Sequence, residues 1–221
     1  MKQALIIGDS GGIGAALGVA LAARDVQVTG VSRSRDGLDI TSEASVAHSL
    51  GTLAGDYDLV LIATGALEVG AHEPEKSIRK LTADAMLAQF MVNTVGPAMV
   101  LKHTIRLLPK DRRTVIATLS ARVGSIGDNN LGGWYSYRTA KAALNQIVHT
   151  SAIELARSHK HSICVALHPG TVQTEFTRKY VGRHPSVPAP EAAQNLLAVI
   201  GGLTTAQSGG FYDWAGKVIP W

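Results

Sequence analysis

Ala4-Leu5-Ile6-Ile7-Gly8-Asp9-Ser10-Gly11-Gly12-Ile13-Gly14 stands near the start of the chain, and its reading decides the architecture. The apolar run reads as a buried strand, and the alanine- and leucine-rich segment beginning at Gly12 reads as a helix. Between them the glycines are spaced Gly-x-x-x-Gly-x-Gly. Such a turn is either a tight strand–helix connection or a cradle for a phosphate. Its place after a first strand and at the opening of a helix favours the cradle, because a helix N-terminus offers free N–H groups and a positive dipole end. Gly8, Ser10, Gly12, Ile13 and Gly14 are the candidate contacts.

Outward from this turn, β-rich runs alternate with helical patterns, the signature of a parallel sheet covered by helices. Strands are predicted at 4–8, 27–32, 38–40, 59–64, 114–119, 162–167 and 209–213. Helices are predicted at 12–23, 42–54, 83–108, 135–158 and 190–201. Pro97 should kink the fourth segment near Asn93. Only about five residues separate the strands expected at 27–32 and 38–40, fewer than the dozen or so a parallel crossover needs. Either that strand is vestigial or its crossover has lost its helix. The expected fold is thus α/β: a single-domain, doubly wound (Rossmann) parallel sheet of about seven strands over residues 1–221, helices on both faces, the second crossover helix lost.

Composition agrees with a folded α/β domain. Of 221 residues, 46% are hydrophobic and 17% charged, with a net charge of +4. No apolar stretch reaches the ~18 residues of a bilayer span. The chain shows no signal-peptide pattern, and its one cysteine, Cys164, lies in an apolar run, so a cytoplasmic setting is expected. Basic residues are spread out and lack an aromatic platform, which argues against nucleic acid as a partner. The eight histidines and one cysteine show no metal-ligand spacing, so no metal is expected.

Two further stretches carry chemistry. At the end of the second strand comes Ser32-Arg33-Ser34-Arg35. A basic residue there accommodates the 2′-phosphate of NADP, where an acidic one would bind the ribose of NAD. Arg33, with Ser32 beside it, points to NADP(H) rather than NAD(H). Tyr137 and Lys141 stand four apart on a helix and so share a face. An ammonium beside the phenol should lower its pKa and make Tyr137 a proton donor, although such a pair on a helix also occurs with no role.

With these elements in order, the chain resembles the short-chain dehydrogenase/reductase family over essentially its whole length. It is most similar to the C-factor and sniffer-like carbonyl reductase branch, notably in 132–145 and in the ending 210–221. The resemblance implies that Asp39 and Ile40 touch the adenine and that Asn93 holds a proton-relay water. It also implies that Pro169, Gly170, Val172 and Thr174 flank the nicotinamide, that Gly65 adjoins the cofactor, and that Lys141 bonds its ribose. A small carbonyl or alcohol would be the substrate, with Tyr137 as general acid/base. Pairing of the two long helices implies a homodimer or homotetramer. No membrane partner is implied.

Three positions depart from the family pattern. Ile7 replaces a threonine before the glycine turn. Ile62-Ala63-Thr64-Gly65 stands where members carry Asn-Asn-Ala-Gly. Ser120-Ala121-Arg122-Val123-Gly124 places Ala121 where the carbonyl-orienting serine belongs. Ser120 is then either a displaced substitute or only the structural first serine. His168, with no carboxylate partner evident in sequence, reads as a structural histidine. Trp134 and Tyr135 line the substrate pocket or pack in the core. The substrate loop is expected to be short, around 175–188. An NADP(H)-binding sensor with little turnover is the alternative to an oxidoreductase.

Overall fold

A computed structural model describes residues 1–179 and 185–221. Part of the expected substrate loop, residues 180–184, lies outside the described residues. In chain order the elements begin with β1 (Gln3–Ile7), α1 (Gly12–Ala22), β2 (Gln27–Val31), the one-turn α2 (Arg33–Asp36) and α3 (Glu43–Gly51). There follow β3 (Leu59–Ile62), α4 (Ala83–Phe90), a π turn (Met91–Val95), α5 (Gly96–Thr104), β4 (Thr114–Leu119) and α6 (Tyr135–Ser158). The chain closes with β5 (Ser162–His168), β6 (Val172–Gln173), β7 (Val187–Pro188), α7 (Ala189–Gly202) and β8 (Phe211–Asp213).

Six strands form one parallel sheet in the order β2-β1-β3-β4-β5-β8, and β6 pairs with β7 apart from it. Alternation along each strand sorts the core into two layers. Leu5, Ile7, Val60, Ile62, Ile116, Cys164 and Ala166 face α3, α5 and α6. Ala4, Ile6, Leu59, Leu61, Val115, Ala117, Val165 and Leu167 face α1 and α7. Burial on both faces explains why these strands read as unbroken apolar runs.

Two expectations change. Residues Leu38–Ile40 form no strand, so the sheet has six strands and β2 is its edge. With no strand to reach, the missing crossover helix shrinks to the single turn α2. Helix 83–108 runs unbroken from Ala83 to Leu107 but is not α-helical throughout. Pro97 has no N–H for the carbonyl four residues back, that of Asn93, and the helix widens into the π turn just before it. An irregularity does fall where the sequence put the kink, as an inserted residue. Side-chain caps set other boundaries: Ser42 accepts from Ser45 N at 3.3 Å and Thr82 from Ala85 N at 3.2 Å. Among the described residues, no helix is long and apolar enough to cross a membrane.

Candidate active site

Strand order reverses between β1 and β3, and crevices at the carboxyl ends of such neighbouring strands are where open α/β sheets bind ligands. Gly8 ends β1 there with φ +93°, and a Cβ on it would come within 2.9 Å of the Ala63 carbonyl past β3. Only glycine meets both demands. The N-cap of α1 is Gly11, which brings no side chain to the first N–H groups of the helix. A cradle walled by backbone and headed by an uncapped helix fits a pyrophosphate.

A cavity of about 640 Å³ opens at this edge. Gly12, Ile13, Gly65, Ser120, Tyr137, Lys141, Pro169, Gly170, Val172 and Thr174 all line it. Ala121, the apolar replacement, lines it as well, as do Thr64 and His168. Gly8, Ser10, Gly14, Ser32, Arg33, Asp39 and Ile40 lie outside the lining. Arg33 is exposed at the start of α2, past the end of β2. Ser32 is buried, and its N–H donates to Asp36 Oδ2 at 2.7 Å. Asp39 accepts from the Thr41 N–H and hydroxyl, which hold its carboxyl below the usual range.

Asn93 stands just behind the cavity wall and is fully buried. Its amide bonds both backbone groups of Ala66, accepting at 3.1 Å and donating at 2.8 Å, and donates to Gln89 Oε1 at 2.6 Å. The π turn thereby pins the loop after β3. A Cβ on Gly65 would lie 2.9 Å from Asn93 Oδ1 and 3.4 Å from Lys141 Nζ, so three residues distant in sequence converge at Gly65.

Tyr137 and Lys141 share the inner face of α6, 5% and 3% exposed. The ammonium lies 5.8 Å from the Tyr137 ring centroid and donates to the Leu119 carbonyl at 3.1 Å. Burial drives both groups toward their neutral forms. The Tyr137 phenol is raised well above its ordinary value, and the Lys141 ammonium falls to about 8. The expected lowering of the tyrosine by its lysine is therefore overturned in this state, where burial raises the phenol.

Ser120 donates to Asn145 Oδ1 at 2.6 Å and is 5% exposed. Its hydroxyl is committed to α6, as a structural first serine would be. Thr174 holds a small capping turn with Thr177. Trp134 meets Tyr137 edge to face, with centroids 6.3 Å apart. It adopts φ 54°, a left-handed conformation rare for a bulky residue. Arg138 secures that bend by donating to the carbonyls of Gly132, Gly133 and Val123.

Sequence reasoning missed several residues. Glu75 is buried, and its carboxylate accepts from the Ser136 N–H at 3.1 Å and from the Ser136 hydroxyl, capping the helix that carries Tyr137. Sixty-one positions separate the partners, too far for any local signal. Arg122 bridges Asp128 and Asp213 at 3.0 and 3.2 Å beside the cavity. Thr64 is part of the cavity lining, and its hydroxyl is buried with no hydrogen-bond partner among the described residues. Among the described residues, no cluster of three metal-ligating side chains occurs.

A doubly wound sheet with a glycine cradle and a cavity at its switch point defines a fold of the Rossmann type. A family model described as enoyl-(acyl carrier protein) reductase matches residues 8–196, and the chain belongs to the short-chain dehydrogenase/reductase family. Over 192 residues it is 34% identical to 1-hydroxy-2-glutathionyl-2-methyl-3-butene dehydrogenase of Rhodococcus sp. (strain AD45), covering 84% of this chain and 79% of the relative. It is 35% identical over 136 residues to the C-signal protein of Myxococcus xanthus, covering 62% and 78%. Its fold is that of the carbonyl reductase Sniffer of D. melanogaster, with TM-score 0.84, 23% identity and 100% of both chains covered. The NADPH-bound carbonyl reductase from chicken fatty liver is equally similar, with TM-score 0.84, 23% identity, and 100% and 99% covered.

Proposed function

We propose that this chain is an NADP(H)-dependent oxidoreductase that interconverts a carbonyl and an alcohol. The observation that carries the reading is the meeting of Tyr137, Lys141, Gly65 and the 169–174 turn around one cavity at the switch point. The cradle at Gly8, Gly12 and α1 would hold the pyrophosphate, and exposed Arg33 the 2′-phosphate. Thr174 and Lys141 offer polar atoms to the nicotinamide half. When bound, the dinucleotide supplies the hydride.

The protein's own part is protonation and positioning. Tyr137 gives its phenolic proton to the carbonyl oxygen as alkoxide character develops. Lys141 supplies positive charge under the ring, which helps the phenolate that results. Asn93 fixes the Gly65–Ala66 backbone and leaves its own main-chain carbonyl, deprived of Pro97 as a donor, as the acceptor for a relay water. Leu67, Val123, Leu131, Trp134 and Phe176 give the rest of the cavity an apolar wall, which suits a carbonyl compound with an apolar body.

Assembly belongs to the same reading. Leu87, Met91 and Val95 are exposed at 65%, 37% and 36% on the outer side of α4 and the π turn, and Ile153 at 54% on α6. These residues fit a two-fold interface in a homodimer or homotetramer. A single domain acting in the cytoplasm accords with the buried, unpaired Cys164.

A second reading is supported by Ala121 and by the commitment of Ser120 to Asn145: an NADP(H)-binding sensor with little turnover. An NADPH-oxidation screen over aldehydes, ketones and quinones separates the two. Turnover that disappears in Tyr137→Phe supports the reductase. Tight NADPH binding with no oxidation, unchanged in that variant, supports the sensor.

A further inference from the structure

The family position for a carbonyl-orienting hydroxyl is filled by Ala121, and Ser120 is turned to Asn145. Another polar group stands next door. β4 and β5 run in register, with Leu119 opposite Leu167, and the Ser120 N–H donates to the Leu167 carbonyl at 2.8 Å. His168 therefore ends its strand beside the Ser120–Ala121 corner. Cys164 and Ala166 belong to the core layer that contains α6 residues, so alternation turns His168 toward the side from which α6 presents Tyr137 and Lys141. His168 lines the cavity.

Its two ring nitrogens differ. Nδ1 is buried with no hydrogen-bond partner among the described residues. Nε2 is not among the buried, unpartnered atoms, and His168 is part of the cavity lining. A buried N–H without an acceptor is the rarer and costlier orphan, so the bare lone pair falls to Nδ1 and the proton to Nε2. The charged groups nearby are Arg122 and Asp213, the latter paired in register with His168 on β8. Burial, with help from Arg122 and against Asp213, lowers the imidazole to about 4. The ring is neutral at physiological pH and keeps a fixed donor.

We propose that Nε2–H of His168 takes the place of the hydroxyl absent at Ala121 and donates a hydrogen bond to the substrate carbonyl oxygen beside the Tyr137 phenol. This rests on the reductase reading. No bond to His168 forms or breaks: the oxygen takes its proton from Tyr137, the carbon takes the hydride as NADPH becomes NADP⁺, and the imidazole proton stays on Nε2.

The test uses full-length protein, NADPH and para-nitrobenzaldehyde as the carbonyl probe. His168→Ala should lose about 100- to 1000-fold in kcat/KM, mainly in kcat, with NADPH affinity unchanged. Adding Ala121→Ser to that variant should restore most of the loss, and His168→Gln, whose amide reaches the Nε2 position, should keep most of the activity. Long-range proton–nitrogen NMR on isotope-labelled histidine reads the tautomer of the parent protein without turnover, and Nε2–H is expected even if His168→Ala fails to fold. Unchanged kinetics in His168→Ala, a loss that Ala121→Ser leaves in place, or an Nδ1–H tautomer overturns the proposal. Parent turnover that survives His168→Ala removes this inference alone. A parent that binds NADPH and turns over no carbonyl removes the reductase reading, and this inference with it.

Discussion

Replacing Lys141 by methionine is expected to stabilise the cofactor-free protein while ending its turnover. The ammonium is 3% exposed and its one hydrogen bond runs to the Leu119 carbonyl. Burial lowers its pKa from 10.5 to about 8. At about 1.4 kcal/mol for each tenfold change in proton affinity, that difference costs the folded state about 3 kcal/mol when the amine is protonated. The folded value lies below the unfolded one, so the stability is present above pH 10.5 and is lost as pH falls toward 8. Below about 8 the full cost is in force. Methionine has a similar shape, escapes that cost, and forfeits a hydrogen bond worth about 1 kcal/mol. The net gain at pH 7 is about 2 kcal/mol, or roughly 4–8 °C in Tm for a chain of this size. Thermal unfolding of both proteins at pH 7 and at pH 10.5, without NADPH, measures it. A methionine variant less stable at pH 7, or a gain equal at both pH values, refutes the argument that a desolvated ammonium is stored under Tyr137.

Other outcomes follow from single contacts. Glu75→Gln removes the carboxylate that caps α6 and should cost about 1–3 kcal/mol in urea unfolding. An unchanged midpoint would mean that Ser136 finds other partners. Arg33→Asp should lower the ratio of kcat/KM for NADPH to that for NADH by roughly ten- to hundredfold, the value of a charge-assisted phosphate contact. An unmoved ratio assigns the 2′-phosphate elsewhere. Cys164, pushed up to about 12 by burial, should resist maleimide in the native protein at pH 8 and react once urea unfolds it. Rapid native labelling contradicts a closed core around β5.

The site was legible wherever local chemistry makes it. The glycine turn, the Tyr137–Lys141 spacing and the 169–174 segment each work through neighbours in the chain, and all three reach the cavity. The loss of a strand at Leu38–Ile40 was half legible: the five-residue spacing already left that strand vestigial or its crossover without a helix, and only the pairing of the sheet decides between them. The direction of the Tyr137 shift was missed for a related reason. Spacing shows which groups are adjacent, whereas burial is set by the whole core. Glu75 and the His168–Asp213 pairing join distant parts of the chain, which no window along the sequence displays. The commitment of Ser120 to Asn145 lay between the two, since both residues were visible and only the sheet's position over α6 joined them.

The π turn has a meaning in the language of insertions and deletions. It is a helix with one residue too many, accommodated between Met91 and Val95. Deleting one of those residues would restore an ordinary helix and leave α4 and α5 roughly in phase, because the wide turn already absorbs the extra residue. Pro97, Val100, Leu101 and Thr104 would keep their places in the core, while Asn93 would lose the position from which it bonds Ala66. The extra residue thus serves the cavity wall and not the packing: its loss would spare the core and release the loop after β3.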